Sequence, residues 1–175
     1  GVTLKAEMTD VKGDGSDLTN TLDAEAKSGA GGSKVGIAAS LALNVADTSA
    51  KAIIYGEAKV DAGTGDLALT AVDRSKYIAK ATPTTAGGAT GGKVGIGASV
   101  ALNLITSHTQ SQILPNASIA NESNSSLAGA KKFTLTATSV GDSEADATAG
   151  ASGGKLAFDA AVAATTLDQT TEASI

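Results

Sequence analysis

Three kinds of group in this chain could do chemistry: a lone histidine, Asp-Gly loops, and carboxylates spaced two residues apart. His108, in TSHTQ, is the only histidine of 175 residues. A multi-histidine metal site is therefore excluded, and His108 reads as a polar loop residue just after a long strand. The stretch TDVKGDGSDLTN at 9–20 places Asp10, Asp14 and Asp17 around Gly13 and Gly15. Hard oxygen ligands on such a loop suit Ca²⁺, and DAGTGDLAL at 61–69 is a poorer copy. Neither loop completes a calcium repeat and Asp-Gly loops are ordinary turns, so calcium stands only as an alternative. Asp23 with Glu25, and Glu144 with Asp146, each project from one face of a strand, as a glycosidase pair could. Sugar sites add aromatic platforms, and here the only aromatics are Tyr55, Tyr77, Phe133 and Phe158. Two-residue charge spacing is also what any solvated strand face shows. The expectation is a non-enzyme, with no catalytic, cofactor-binding or metal-binding residue assigned.

Composition narrows the partners. The formal net charge is −5, which speaks against a nucleic-acid surface; Lys131-Lys132 is the densest basic spot. Zero cysteines removes disulfides and thiolate chemistry together. Nothing near Gly1 resembles a secretory leader, and no apolar run approaches a membrane helix. A membrane barrel is not expected either, because aromatic girdles are missing. The chain opens on strand-like GVTLKA and stops in TTEASI, so a piece cut from a longer protein is expected. The sequons at Asn116, Asn121 and Asn124 read as a polar, irregular loop.

The elements that must position these groups come from a repeat. KVGIAASLALN at 34–44 recurs as KVGIGASVALN at 93–103, identical at nine of eleven places. A weaker third copy, KLAFDAAVAATT, runs over 155–166. In each copy larger apolar residues alternate with small ones, as in Val35, Ile37, Leu41 and Leu43 against Gly36, Ala38, Ser40 and Ala42. A period of two predicts strands, because successive side chains point to opposite faces. Alternating Ala/charged stretches at 22–29, 77–82 and 144–150 precede the copies, each leading into a glycine-rich corner. AKAIIYGEAKV at 50–60 matches TQSQILPNASI at 109–119, and VTLKA at 2–6 matches DLALTA at 66–71 and KFTLTA at 132–137. These pieces predict units over about 1–64, 65–131 and a truncated 132–175. Such periodicity is the mark of a stacked array. The larger face is expected to bury as a Val/Leu/Ile ladder, and the small face to lie against another layer at close approach.

The cycle of Gly92–Leu104, Ala52–Gly56 and Gly65–Ala71 resembles repeats of giant secreted bacterial surface proteins. Those are the autotransporter, haemagglutinin-like and leukotoxin-like passengers. The resemblance covers most of the chain; the third unit departs at Phe158 and Asp159. It implies an extracellular β-solenoid segment of an adhesin or toxin stalk. The fold expected is all-β, a parallel β-helix or flattened two-sheet relative, with antiparallel hairpins at the glycine corners left open. The function expected is a non-catalytic structural or adhesive stalk. A self-assembling filament subunit joined through terminal strands, and a calcium- or carbohydrate-binding module, are the alternatives. Its expected partners are neighbouring repeats, of the same or identical chains, and host or surface glycans, without nucleic acid or membrane insertion.

Overall fold

A computed structural model describes residues 1–8, 18–83, 89–121, 124–125 and 130–175. Among the described residues there is no helix. The long strands fall into two layers. One holds β1 (Val2–Glu7), β2 (Asn20–Ser28), β6 (Leu67–Pro83) and β11 (Phe133–Ala147), ordered β1-β6-β11 with β2 also on β6. The other holds β4 (Val35–Ile54), β8 (Val94–Ile113) and β13 (Leu156–Ser174), with β8 central. Short strands β3 (Ala30–Gly32), β7 (Ala89–Gly91) and β12 (Ala151–Gly153) pair at the glycine-rich corners. At the other end β5 (Lys59–Asp61) pairs in parallel with β9 (Ser118–Asn121), which also meets β10 (Asn124–Ser125) antiparallel.

Equivalent strands of successive units pair in parallel, and the sequence repeat is the pairing register. Val35 lies beside Val94 and Asn44 beside Asn103, the 59-residue offset of the two opening copies. Leu156 lies beside Val94, the offset of the third copy. Every position thus stacks on its equivalent, the arrangement in which like side chains form ladders. The all-β, parallel architecture is compatible with a β-solenoid. The glycine corners are not hairpins: the strands on either side of each corner belong to different layers. Close approach explains the glycines at and just after the corners. A Cβ on Gly32 would run into the Val35 carbonyl oxygen and one on Gly153 into that of Leu156, while Gly36 and Gly95, at the start of the long strands, lie as close to the Thr90 and Ser152 carbonyls.

Several predicted short strands fuse. LALTA of DLALTA and all of YIAKAT are within β6, and the repeat motif continues without a break into AKAII within β4. The far corners are four-residue turns, closed by Ala58 N–H donating to the Tyr55 carbonyl and Ala117 N–H to that of Leu114, each 3.2 Å. Asn116, after Pro115, carries the positive φ such a turn requires at its third residue, and Glu57 takes the same conformation.

The interior is thin at one end and fuller at the other. Beside the glycine corners the layers meet through Ala42, Ala79, Ala81 and Ala101, with Ala24, Ala26, Ala145 and Ala147 partly buried around them. Towards the far corners the gap is filled by Ile54, Leu67, Leu69, Ile113 and Ile119. Residue size sets that taper. Beside the corners the Ala/charged stretches offer only Ala as apolar inward residues, with the larger Leu22 and Tyr77 at their far ends, so the facing sheet must present residues equally small there.

That requirement overturns half of the expectation for the repeat motif. The small face is the buried one, as expected: Ala38, Ser40, Ala42, Asn44, Ser99, Ala101 and Asn103 point inward. The larger face is not buried. Val35, Ile37, Leu41, Leu43 and Val45 are all exposed, Leu41 by 61% and Val45 by 70%. Hydrophobicity alone would turn the strand the other way; the narrow gap prevents it, because sheets packed through Val, Leu and Ile need about 10 Å.

Candidate functional site

Two wide faces and a polar interior result. The outer face of the first layer is charged. Glu25 pairs with Lys27 at 2.6 Å along β2 and Lys5 with Glu7 at 2.7 Å along β1. Lys76 reaches Asp142 at 3.5 Å and Lys80 reaches Glu144 at 3.6 Å, joining β6 to β11. Exposed pairs of this kind add at most about 1 kcal/mol each. The two carboxylate pairs considered for sugar chemistry, Asp23 with Glu25 and Glu144 with Asp146, are therefore parts of a solvated lattice of mixed charge.

The interior carries the polar groups. Asn44 Nδ2 donates to the Ile78 carbonyl at 2.7 Å and to Asn103 Oδ1 at 3.0 Å. Asn103 Nδ2 in turn donates to the Glu144 carbonyl at 2.8 Å and to Ser143 Oγ at 3.0 Å. This ladder ties the two layers together at the one level where both opening copies place Asn. Ser40 and Ser99 share a hydrogen bond of 2.8 Å two inward levels nearer the corner, next to the pair Ala38/Gly97. Deeper along the strands Asp73, 1% exposed, accepts from Ser75, Ser107 and Thr48, and Thr48 also meets the Tyr77 hydroxyl. The cluster satisfies the buried carboxylate with hydroxyl donors. It interrupts the alternation in β6, where Ala71, Val72 and Asp73 are buried in succession.

The second layer's outer face is the distinctive surface. Its rows cross three strands in register: Val35/Val94/Leu156, then Ile37/Ile96/Phe158, then Ala39/Ala98/Ala160. Leu41/Val100/Val162, Leu43/Leu102/Ala164 and Val45/Leu104/Thr166 follow. Beyond them the rows turn polar, with Asp47/Thr106/Asp168 and Ser49/His108/Thr170. At the corner end the stacked lysines Lys34, Lys93 and Lys155 border the apolar rows, each lysine's backbone joined to the next by an N–H···O=C bond of 3.0 or 3.1 Å. The apolar strip measures roughly 35 Å by 14 Å from strand geometry, or about 500 Å². Exposed patches that large mark contact surfaces.

The candidate residues distribute as follows. His108 is not in a loop but within β8, half-buried between Ser49 and Thr170. Gly150–Gly154 spells G-x-S-x-G, yet Ser152 lies in β12, without the strand-to-helix turn of a nucleophile elbow. It sits beside Gly95, thirteen strand residues or roughly 40 Å from His108. Asp10, Asp14 and Asp17 lie outside the described residues. In the poorer loop, Asp61 Oδ1 accepts from Gly63 N–H at 2.8 Å and Gly63 takes positive φ, an ordinary Asx turn. Among the described residues no three metal-ligating side chains come together and no pocket forms. What the residue-by-residue reading missed is the apolar face; its signal was the mismatch between the bulk of the odd-numbered residues in 35–45 and the Ala-only partners facing them. No family model, curated protein or solved structure matches the chain.

Proposed function

We propose that this chain is a non-catalytic structural and adhesive stalk segment of a large extracellular bacterial surface protein, wound as a β-solenoid. The carrying observation is the parallel, in-register stacking of equivalent strands, continuous over Leu156–Ser174 on Val94–Gln112 and over Val35–Ile54 on Val94–Ile113. Each unit adds one strand to each layer, so length grows by about 4.8 Å per unit while cross-section stays constant. That geometry suits a spacer. The resemblance of the repeats to secreted surface passengers supports the extracellular setting, and the glycan or host contacts of such a stalk belong to the same reading.

The experiment is a series of chains with one to four central units (65–131) inserted between the outer two. Each added unit is expected to raise the urea midpoint, steeply at first and then to a plateau, because nearest-neighbour interfaces stabilise such arrays. Small-angle scattering should show the long dimension growing by about 5 Å per unit. A midpoint independent of unit number, with length growing as for beads on a string, would remove the stalk reading.

One observation favours the filament alternative: among the described residues, β4 and β13, 20 and 19 residues long, each leave one edge unpaired. Parallel strand addition between copies could continue the array through those edges. Fibres that lengthen with concentration in the same series would select this reading.

A further inference from the structure

The apolar outer face of β4, β8 and β13 is left uncovered by the stalk reading, and its occupant can be argued from its charge and relief. We propose that it pairs face to face with the same face of a second copy, in antiparallel orientation about a two-fold axis lying across the strands at the level of Ser40, Ser99 and Ala161.

Charge points to that occupant. The strip carries lysines at one end, Lys34, Lys93 and Lys155, and Asp47 and Asp168 at the other, with Lys51 and Glu172 two rows further along the same face. None of these lysines pairs with a described carboxylate, and neither aspartate pairs with a described base. The proposed axis brings Lys34 within one residue of the second copy's Asp47, and Lys155 within one residue of its Asp168. A parallel stacking would instead put lysine on lysine. An anionic lipid surface would attract one end and repel the other, and the chain itself carries −5.

Relief agrees with charge. The row Ala39/Ala98/Ala160 is a shallow transverse groove between bulkier rows. The same axis lays the second copy's Leu41/Val100/Val162 row into it, and lays Ile37/Ile96/Phe158 against Leu43/Leu102/Ala164. Bulky residues thus seat in the alanine row and Phe158 meets Ala164, while Ile37 and Ile96 meet Leu43 and Leu102 as aliphatic contacts between the sheets. The area suits a weak, reversible dimer. With the axis at Ser40 the strands overlap over residues 35–45, roughly 500 Å² per copy, against about 800 Å² per partner in a standard stable interface.

Sedimentation equilibrium of the 175-residue chain tests this, from sub-micromolar to high-micromolar concentration. The expected result is reversible growth from 16.9 kDa to twice that mass. Val100→Lys, on the outer face of the central strand, should weaken association by ~100-fold or more while the far-ultraviolet spectrum and urea midpoint stay near those of the parent. Asp47→Lys with Asp168→Lys should weaken it by ~10-fold, and adding Lys34→Asp and Lys155→Asp should restore it to within about threefold. The rescue separates antiparallel pairing from indiscriminate apolar association. A monomer at every concentration overturns the proposal, as does a dimer indifferent to Val100→Lys or a four-site variant no tighter than the two-site one. Flotation of a monomeric chain with phosphatidylcholine/phosphatidylglycerol vesicles, without self-association, would likewise overturn it and assign the face to lipid.

Discussion

The Ala101→Leu variant is expected to lose about 3 kcal/mol of stability or more, the upper end of what overpacking a well-filled interior costs. Ala101 is 0% exposed and sits on the central strand of its layer, facing a gap lined by Ala42, Ala79 and Ala81. Leucine carries three more carbons, and the gap here is set by alanine on both sides. Neither sheet can yield locally, because β8 and β6 are hydrogen-bonded on both flanks. The control is its neighbour: Val100→Leu adds bulk on the outer face and should change stability by less than about 0.5 kcal/mol, as surface substitutions do. Urea denaturation of both variants measures the difference. Equal stabilities would mean that the small face is not the packed one.

The second large effect is expected from Asn103→Asp, which changes a single atom. Asn103 is 0% exposed, and its Nδ2 faces the Glu144 carbonyl, Ser143 Oγ and, at 3.4 Å, the Tyr77 carbonyl. The substitution places an acceptor where acceptors converge, losing the donated bonds and burying a charge without a basic partner. Each unsatisfied buried polar group costs about 1–3 kcal/mol, more when charged, so a loss of about 3 kcal/mol or more at neutral pH follows. Asn103→Ala should cost less, because it removes the donor without adding a charge. If Asn103→Asp and Asn103→Ala were equally mild, the Asn ladder would not be what joins the layers.

How much of this was legible beforehand depends on the residue. The strands and their register were legible, because the 59-residue offset that aligns Val35 with Val94 also pairs them in the sheet. Reversal at the glycine corners was legible; that each corner changes layer was not, since Gly-Gly permits both a hairpin and a layer change. Strand lengths were underestimated because the repeat pieces at 66–71 and 77–82, and at 34–44 and 50–60, were matched separately, with Asp73 and Asp47 falling between them. Asp73 is instead buried among hydroxyl donors, and Asp47 continues the outer face of β4. The orientation of the repeat motif was half legible. Close packing of the small face followed from its composition, but the habit of placing Val and Leu inside misassigned Ile37 and Leu41. Size matching, not hydrophobicity, decides the matter: a layer whose inward residues are Ala24, Ala26, Ala79 and Ala81 has no room opposite it for leucine. The candidate surface is the direct consequence, since whatever cannot fit inside must face out.

Thiol labelling shows which face of the long strands is outside, because the chain has no cysteine of its own. Single-cysteine variants at adjacent positions, Leu41→Cys and Val100→Cys against Ala42→Cys and Ala101→Cys, would be exposed to a thiol reagent under native conditions, at concentrations low enough to keep the chain monomeric. The first two are expected to react at nearly the rate of an unfolded peptide, and the last two only as fast as the fold opens. Protection at 41 and 100 with ready reaction at 42 and 101 would turn every long strand of that layer over and contradict this orientation.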